Sequence, residues 1–206
     1  DAGIETVFQN LALADDLGSA LYATARYLLQ EPGLRFVSVW SPTFLTLLLA
    51  RIEADAGRLL ADLAAGTLRT PLPPAVAAAL APGLKAMPAR ARSLAPPIAR
   101  GAWGQVWPDL AVVSCWADAA AGASLPAVRA AFPGAVVQGK GLLATEGVVS
   151  VPLADFGGCV PALTSHLLEF RPWDGAAPSR ATALWAHELE AGREYDVLLT
   201  TGGGLW

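Results

Sequence analysis

Apolar residues recur at intervals of three and four from Leu13 through Leu17, Leu21 and Ala25 to Leu28. That period predicts an amphipathic helix over residues 11–30, stopped by Pro32-Gly33. The pattern then changes: Arg35 to Trp40 is a β-branched and aromatic run, as in a strand. Ser41 offers a helix N-cap, Pro42 suits the first helical position, and Phe44, Leu45, Leu48 and Ile52 share one face. A further helix is predicted from Asp55 to Ala65, ending at Gly66. Residues 71–100 carry Pro71, Pro73, Pro74, Pro82, Pro88, Pro96 and Pro97 among alanines, which predicts short helices broken by turns. Leu110 to Trp116 reads as a strand, Ser124 to Phe132 as a helix stopped by Pro133-Gly134, and Ala135 to Gln138 as another strand. Strand, helix, strand over about 30 residues is a βαβ unit with parallel strands and a right-handed crossover. Beyond residue 147 the pattern gives strands without helices, at 148–153, 161–170 and 193–201.

The predicted architecture is α/β, a mainly parallel sheet with flanking helices followed by a β-rich segment. We read residues 1–206 as one partial domain, with 1–147 the α/β part and 148–206 the β-rich part. Open sheets of this kind bind ligands at the carboxyl ends of their strands. If the strands are neighbours, Ser41-Pro42-Thr43, Ser114-Cys115-Trp116 and Leu143 to Gly147 converge there.

Composition narrows the class. Hydrophobic residues make up 54% and charged residues 16%, against roughly 25% charged in an average soluble domain. So few charges imply a heavily buried fold or a piece of a larger one. No apolar run reaches the roughly 18 residues of a membrane span; Phe36 to Ala50 is interrupted by Ser41, Pro42 and Thr43. A formal charge of −4 with only 14 Lys and Arg argues against nucleic acid, whose phosphates need many cations. Cys115 and Cys159 lie far apart in apolar surroundings and read as small buried hydrophobes of a reducing compartment, so a cytoplasmic location is expected. The chain starts without Met and stops just after a strand signal, which reads as a fragment.

The most informative chemistry is Gly139-Lys140-Gly141-Leu142-Leu143-Ala144-Thr145-Glu146-Gly147, a turn between the apolar runs Ala135-Val136-Val137 and Val148-Val149-Ser150-Val151. A hydroxyl beside a carboxylate suits a phosphate-bound magnesium ion: the first donates to a phosphate oxygen, the second holds the hard cation. Small neighbours let a nucleotide approach. By spacing alone, Thr-Glu-Gly is an ordinary turn. Its flanks change the reading.

Five ordered segments resemble the GH3 family, acyl-acid amido synthetases of the adenylate-forming superfamily. They are Trp40 to Leu45; Trp107 to Leu110 with Ser114 to Trp116; Gln138 to Gly147; Ser165 to Phe170; and Gly192 to Thr201. The resemblance implies an adenylate-forming large domain that uses ATP and Mg2+ to activate a small carboxylic acid as acyl-AMP, then joins it to an amino acid. It gives Thr145 and Glu146 the catalytic roles, with Glu146 holding the metal. Leu143, Ala144 and Gly147 join them in the nucleotide site, Ser114, Cys115 and Trp116 wall the adenine slot, and Thr43 and Val148 touch the acyl group. The family's upstream phosphate loop, its Tyr-Arg-x-Gly-Asp motif and its C-terminal cap are not found in these residues, so the 206 residues alone are expected to be inactive.

Other readings stand beside this one. Gly139 to Ala144 also fits the dinucleotide fingerprint G-x-G-x-x-A, which requires a following helix, whereas a strand-like Val-Val-Ser-Val follows. His166 reads as a surface or hydrogen-bonded strand residue and His187 as solvent-exposed; neither has a metal-ligand partner at suitable spacing. The acidic pair Asp15-Asp16 reads as a solvated face. No G-x-S-x-G elbow is present, which argues against a serine hydrolase. Two functional alternatives remain: an acyl-CoA ligase-like adenylating enzyme, and a non-catalytic nucleotide-binding module.

Overall fold

The computed structural model describes residues 16–153, 156, 158–173, 175 and 182–202. The chain divides into two compact units, residues 1–138 and 139–206.

The first unit opens with helix α1, Leu17–Gln30. Asp16, exposed as the sequence reading expects, is also its N-cap: the carboxylate accepts from the Ser19 backbone N–H at 2.8 Å. Leu13 of the sequence pattern lies outside the described residues. Strand β1 (Phe36–Ser38) leads into α2 (Pro42–Ala54), capped by Ser41 as the sequence anticipated. Helix α3, Ala56–Ala65, ends at Gly66 with φ +71°, a left-handed cap that suits glycine. Then come α4 (Pro74–Leu80), a 3-10 turn at Ala81–Gly83, α5 (Pro88–Ala99) and α6 (Trp103–Val106). Pro96 and Pro97 do not break α5 where they occur; they lie in its last turn, and the helix ends two residues later at Ala99. Strand β2 (Val112–Cys115), the short α7 (Ala119–Gly122), α8 (Leu125–Ala131) and β3 (Val136–Gly139) complete a parallel three-stranded sheet in the order β1-β2-β3. In the parallel β1–β2 pair, Phe36 faces Val112 and Ser38 faces Ser114.

Buried Leu21, Leu29, Leu48, Ile52, Leu59 and Val113 belong to one apolar cluster that joins the helices to the sheet. Two charged side chains, Asp62 and Arg26, are fully buried in this unit. Asp62 is fully buried, yet it accepts from the Tyr22 hydroxyl (2.8 Å), the Thr67 hydroxyl (2.7 Å) and the Arg69 backbone N–H (2.8 Å), and pairs with the Arg69 guanidinium at 2.5 Å. A buried carboxylate is tolerable only when so fully satisfied. Arg26, also fully buried, ties α1 to the Thr67 and Lys85 carbonyls.

The second unit holds β4 (Ser150–Pro152), β5 (Cys159–Pro161), β6 (Leu167–Pro172) and β7 (Tyr195–Thr200), with a 3-10 turn at Ala186–Glu188. Strands β4 and β5 pair antiparallel, as do β6 and β7. Leu168 and Phe170 are buried with Val149, whereas Leu167 between them and the preceding turn is exposed, the two-residue period of a half-covered sheet. The strand expected over 161–170 is really two. The chain reverses after Pro161, where the Ala162 N–H donates to the Val149 carbonyl and the Ser165 N–H to the Ala162 carbonyl. His166 therefore ends a turn instead of sitting within a strand. Cys115 is buried as anticipated, and Cys159 is half-buried at a strand edge.

Candidate functional site

The residues singled out from sequence fall in both units. In the first, pairing continues past the carboxyl ends of β1 and β2. The Val39 N–H donates to the Ser114 carbonyl and the Trp116 N–H to the Trp40 carbonyl. This brings the two indoles to a centroid distance of 5.4 Å, tilted by 47°. Trp40 is 58% exposed and Trp116 41%, so the strand ends present an aromatic ledge. Ser114 and Cys115 are buried, leaving Trp116 to provide that segment's open surface. Ser41 Oγ accepts from the Thr43 N–H at 3.2 Å, and the exposed Thr43 hydroxyl lies 3.3 Å from that of Ser124. Trp40, Ser41 and Phe44 also border a cavity of about 840 Å3 whose remaining walls include Leu28, Leu45 and Trp107. Thr24, Ser38 and Ser41 give it three hydroxyls among apolar neighbours.

In the second unit, residues 143–148 form a tight hairpin. Leu143 and Val148 bridge antiparallel, and Ala144 and Gly147 exchange backbone hydrogen bonds of 2.9 and 3.3 Å. The loop is left with two residues, Thr145 and Glu146, and both are exposed. The Thr145 hydroxyl donates to the Glu146 carboxylate; with Glu146's own backbone N–H, it holds that carboxyl below its usual range. Glu146 is thus a dependable anion. Two glycines shape the approach to this hairpin. Gly141 has φ +72°, and a Cβ there would come within 2.2 Å of the Ser150 carbonyl oxygen. Beside it, the Leu142 N–H donates to Ser150 Oγ at 2.9 Å. At Gly147 a Cβ would meet His166 Nε2 at 2.3 Å. Sequence reading did not single out Ser150 or Ser124 for the site. Ser150 carried a signal, a lone hydroxyl in an apolar run beside a glycine turn, whereas Ser124 is brought to Thr43 only by tertiary packing.

The donor set at the hairpin tip is oxygen-only, a carboxylate and a hydroxyl open to solvent, and fits a hard divalent cation. Among the described residues no cluster of three His, Cys, Asp or Glu forms a metal site.

A family model described as the GH3 family N-terminal domain matches residues 5–137. The chain belongs to the GH3 family. The match ends one residue before the first unit does, so the Thr145–Glu146 hairpin lies beyond it. No curated protein matches the sequence significantly. The GH3 fold is nonetheless recognisable in solved structures. The AtGH3.15 acyl acid amido synthetase in complex with 2,4-DB superposes with a TM-score of 0.76 at 14% identity, over 92% of this chain and 34% of that one. A second structure, the GH3.15 acyl acid amido synthetase, gives 0.76 and 14% over 95% and 37%. At this identity the likeness is one of fold, and the chain spans about a third of the length of these relatives.

Proposed function

We propose that this GH3 chain is the central part of an ATP-dependent synthetase that activates a small carboxylic acid and couples it to an amino acid. The observation that carries the proposal is the exposed Thr145–Glu146 pair on its two-residue hairpin, in a chain of this family. The acid's carboxylate attacks the α-phosphorus of ATP, the α–β bridging P–O bond breaks, and pyrophosphate leaves with an acyl-adenylate formed. The amine then adds to the acyl carbon, loses a proton, and expels AMP. Such a sequence asks for positioning and charge neutralisation more than covalent help. Glu146 would hold Mg2+, whose charge offsets that of the triphosphate.

The Thr145 hydroxyl has one proton, given to Glu146 in the structure. With a cation on the carboxylate, the Thr145 hydroxyl would be free to turn and donate a hydrogen bond to a phosphate oxygen instead. In the second unit, Ala144 and Gly147 keep the hairpin narrow and unencumbered, with Val148 on its outgoing arm. In the first, Trp116 offers an exposed flat wall suited to an adenine, Thr43 carries an exposed hydroxyl, and the apolar cavity beside Trp40 favours an acid with a hydrophobic body.

The test is acid-dependent ATP–pyrophosphate exchange by the full-length parent protein. Glu146→Gln should lower it by about 100-fold, as loss of one preorganised electrostatic group does. An unchanged rate would remove the hairpin from the mechanism. Mass spectrometry of reaction mixtures would identify the conjugate.

A further inference from the structure

We propose that His166 is a positioning residue for the Thr145–Glu146 hairpin: its imidazole fills the space a side chain at Gly147 would need and fixes the pitch at which the pair is presented. The inference rests on reading that hairpin as the nucleotide-binding turn.

The geometry begins with the strap behind the hairpin. The Ala162 N–H donates to the Val149 carbonyl at 2.8 Å, and the Ser165 hydroxyl to the Val148 carbonyl at 3.2 Å. Two bonds therefore anchor the 162–165 turn to the hairpin's outgoing arm, and His166 is the next residue. Its ring edge lies against Gly147, with Nε2 at 2.3 Å and Cδ2 at 2.6 Å from the point where a Cβ would stand. Gly147 closes the two-residue loop by its exchange of hydrogen bonds with Ala144. A group packed on Gly147 thus acts directly on the pair of bonds that sets how Thr145 and Glu146 project. The same imidazole borders a hollow of about 430 Å3 with Leu163, Trp185 and His187. The three atoms nearest the point where that Cβ would stand all belong to the His166 ring, so removing it takes away the closest contact on that side. Gly147, which closes the loop, has no side chain of its own to restrict its backbone.

The first measurement is amide hydrogen exchange on the 206-residue chain. In His166→Ala the Ala144 and Gly147 amides should exchange roughly tenfold faster, while those of β6 and β7 keep their rates. His166→Gln, which returns a polar group to the Nε2 position, should recover most of the protection. The second is a cycle with Gly147→Ala: alone it should open the hairpin, and in the His166→Ala background, where space has been made, its effect should shrink. The third is kinetic, in the full-length parent: His166→Ala should raise KM for MgATP about tenfold with kcat within about twofold.

Unchanged exchange at Ala144 and Gly147, or strict additivity in the cycle, overturns the inference whatever the kinetics. Faster exchange with an unaltered MgATP KM also overturns it when Glu146→Gln does abolish adenylation. If Glu146→Gln leaves adenylation intact as well, it is the proposed function of the hairpin that fails.

Discussion

Asp62 shows how much one side chain can settle in a chain so poor in charge. Burial pushes its carboxyl up, but the Arg69 N–H, the Thr67 hydroxyl, the Arg69 guanidinium and the Tyr22 hydroxyl outweigh burial and hold it at about 2, below the ordinary 3.8. A carboxyl depressed by folding stabilises the fold above its unfolded value and loses that contribution as pH falls through the folded one. The window is therefore about pH 4 down to 2, and the amount about 2 kcal/mol. Chemical denaturation at stepped pH should show stability falling across that window, and Asp62→Asn should remove this part of the slope while lowering stability at neutral pH. A slope unaltered by the substitution would mean that Asp62 is not the titrating group. Glu146 contrasts with it: exposed and bonded to its neighbour's hydroxyl, it is available for a ligand.

Among elements, those with local punctuation were the ones legible in the sequence. Ser41-Pro42 announced the start of α2 and Gly66 the end of α3, because caps and left-handed residues act within one turn of backbone. The two-residue loop at Thr145 and Glu146 was likewise visible as a turn between apolar runs. What escaped were consequences of tertiary hydrogen bonding. Nothing local in 161–170 reveals that Ala162 will bond to Val149 and split one apparent strand into β5 and β6. Nor does alternation reveal that Ser114 and Cys115 are both buried while Trp116 is exposed. The aromatic ledge needed two strands in register, and the support behind Gly147 needed the 162–165 strap. Gly66 permits a test at this scale. Its φ is positive, and a Cβ added there would stand 2.9 Å from the Ala86 backbone nitrogen, which leaves no room for alanine. Gly66→Ala should cost at least about 1–2 kcal/mol, read as a lower Tm in calorimetry; an unchanged Tm would show that the α3 terminus relaxes freely.

At the scale of the whole molecule, the two units differ in how they are held. The first is organised around an extended cluster with Leu21, Leu48, Ile52, Leu59, Trp103 and Val113 inside it. The second rests on buried Val149, Leu168 and Phe170, with partly covered residues such as Val197 and Leu199 around them. Smaller apolar cores open at lower cost. Native-state hydrogen exchange should find β4 and β5 opening well before α1 to α3; equal protection throughout would indicate one cooperative block. No helix among the described residues is long and apolar enough to cross a membrane.

The bond between Tyr22 and Asp62 also has a spectroscopic consequence. Burial, then the facing carboxylate, raise the Tyr22 phenol above 10, and burial raises Tyr27, whose hydroxyl donates to the Leu80 carbonyl. The Tyr22 ring should keep its proton in alkaline solution until the helices come apart, so its ultraviolet phenolate band would emerge together with the collapse of helical circular dichroism. Unfolded, each phenol ionises freely above pH 10, which drains stability from the native state. Alkali would then act on this chain as a denaturant whose progress Tyr22 makes visible.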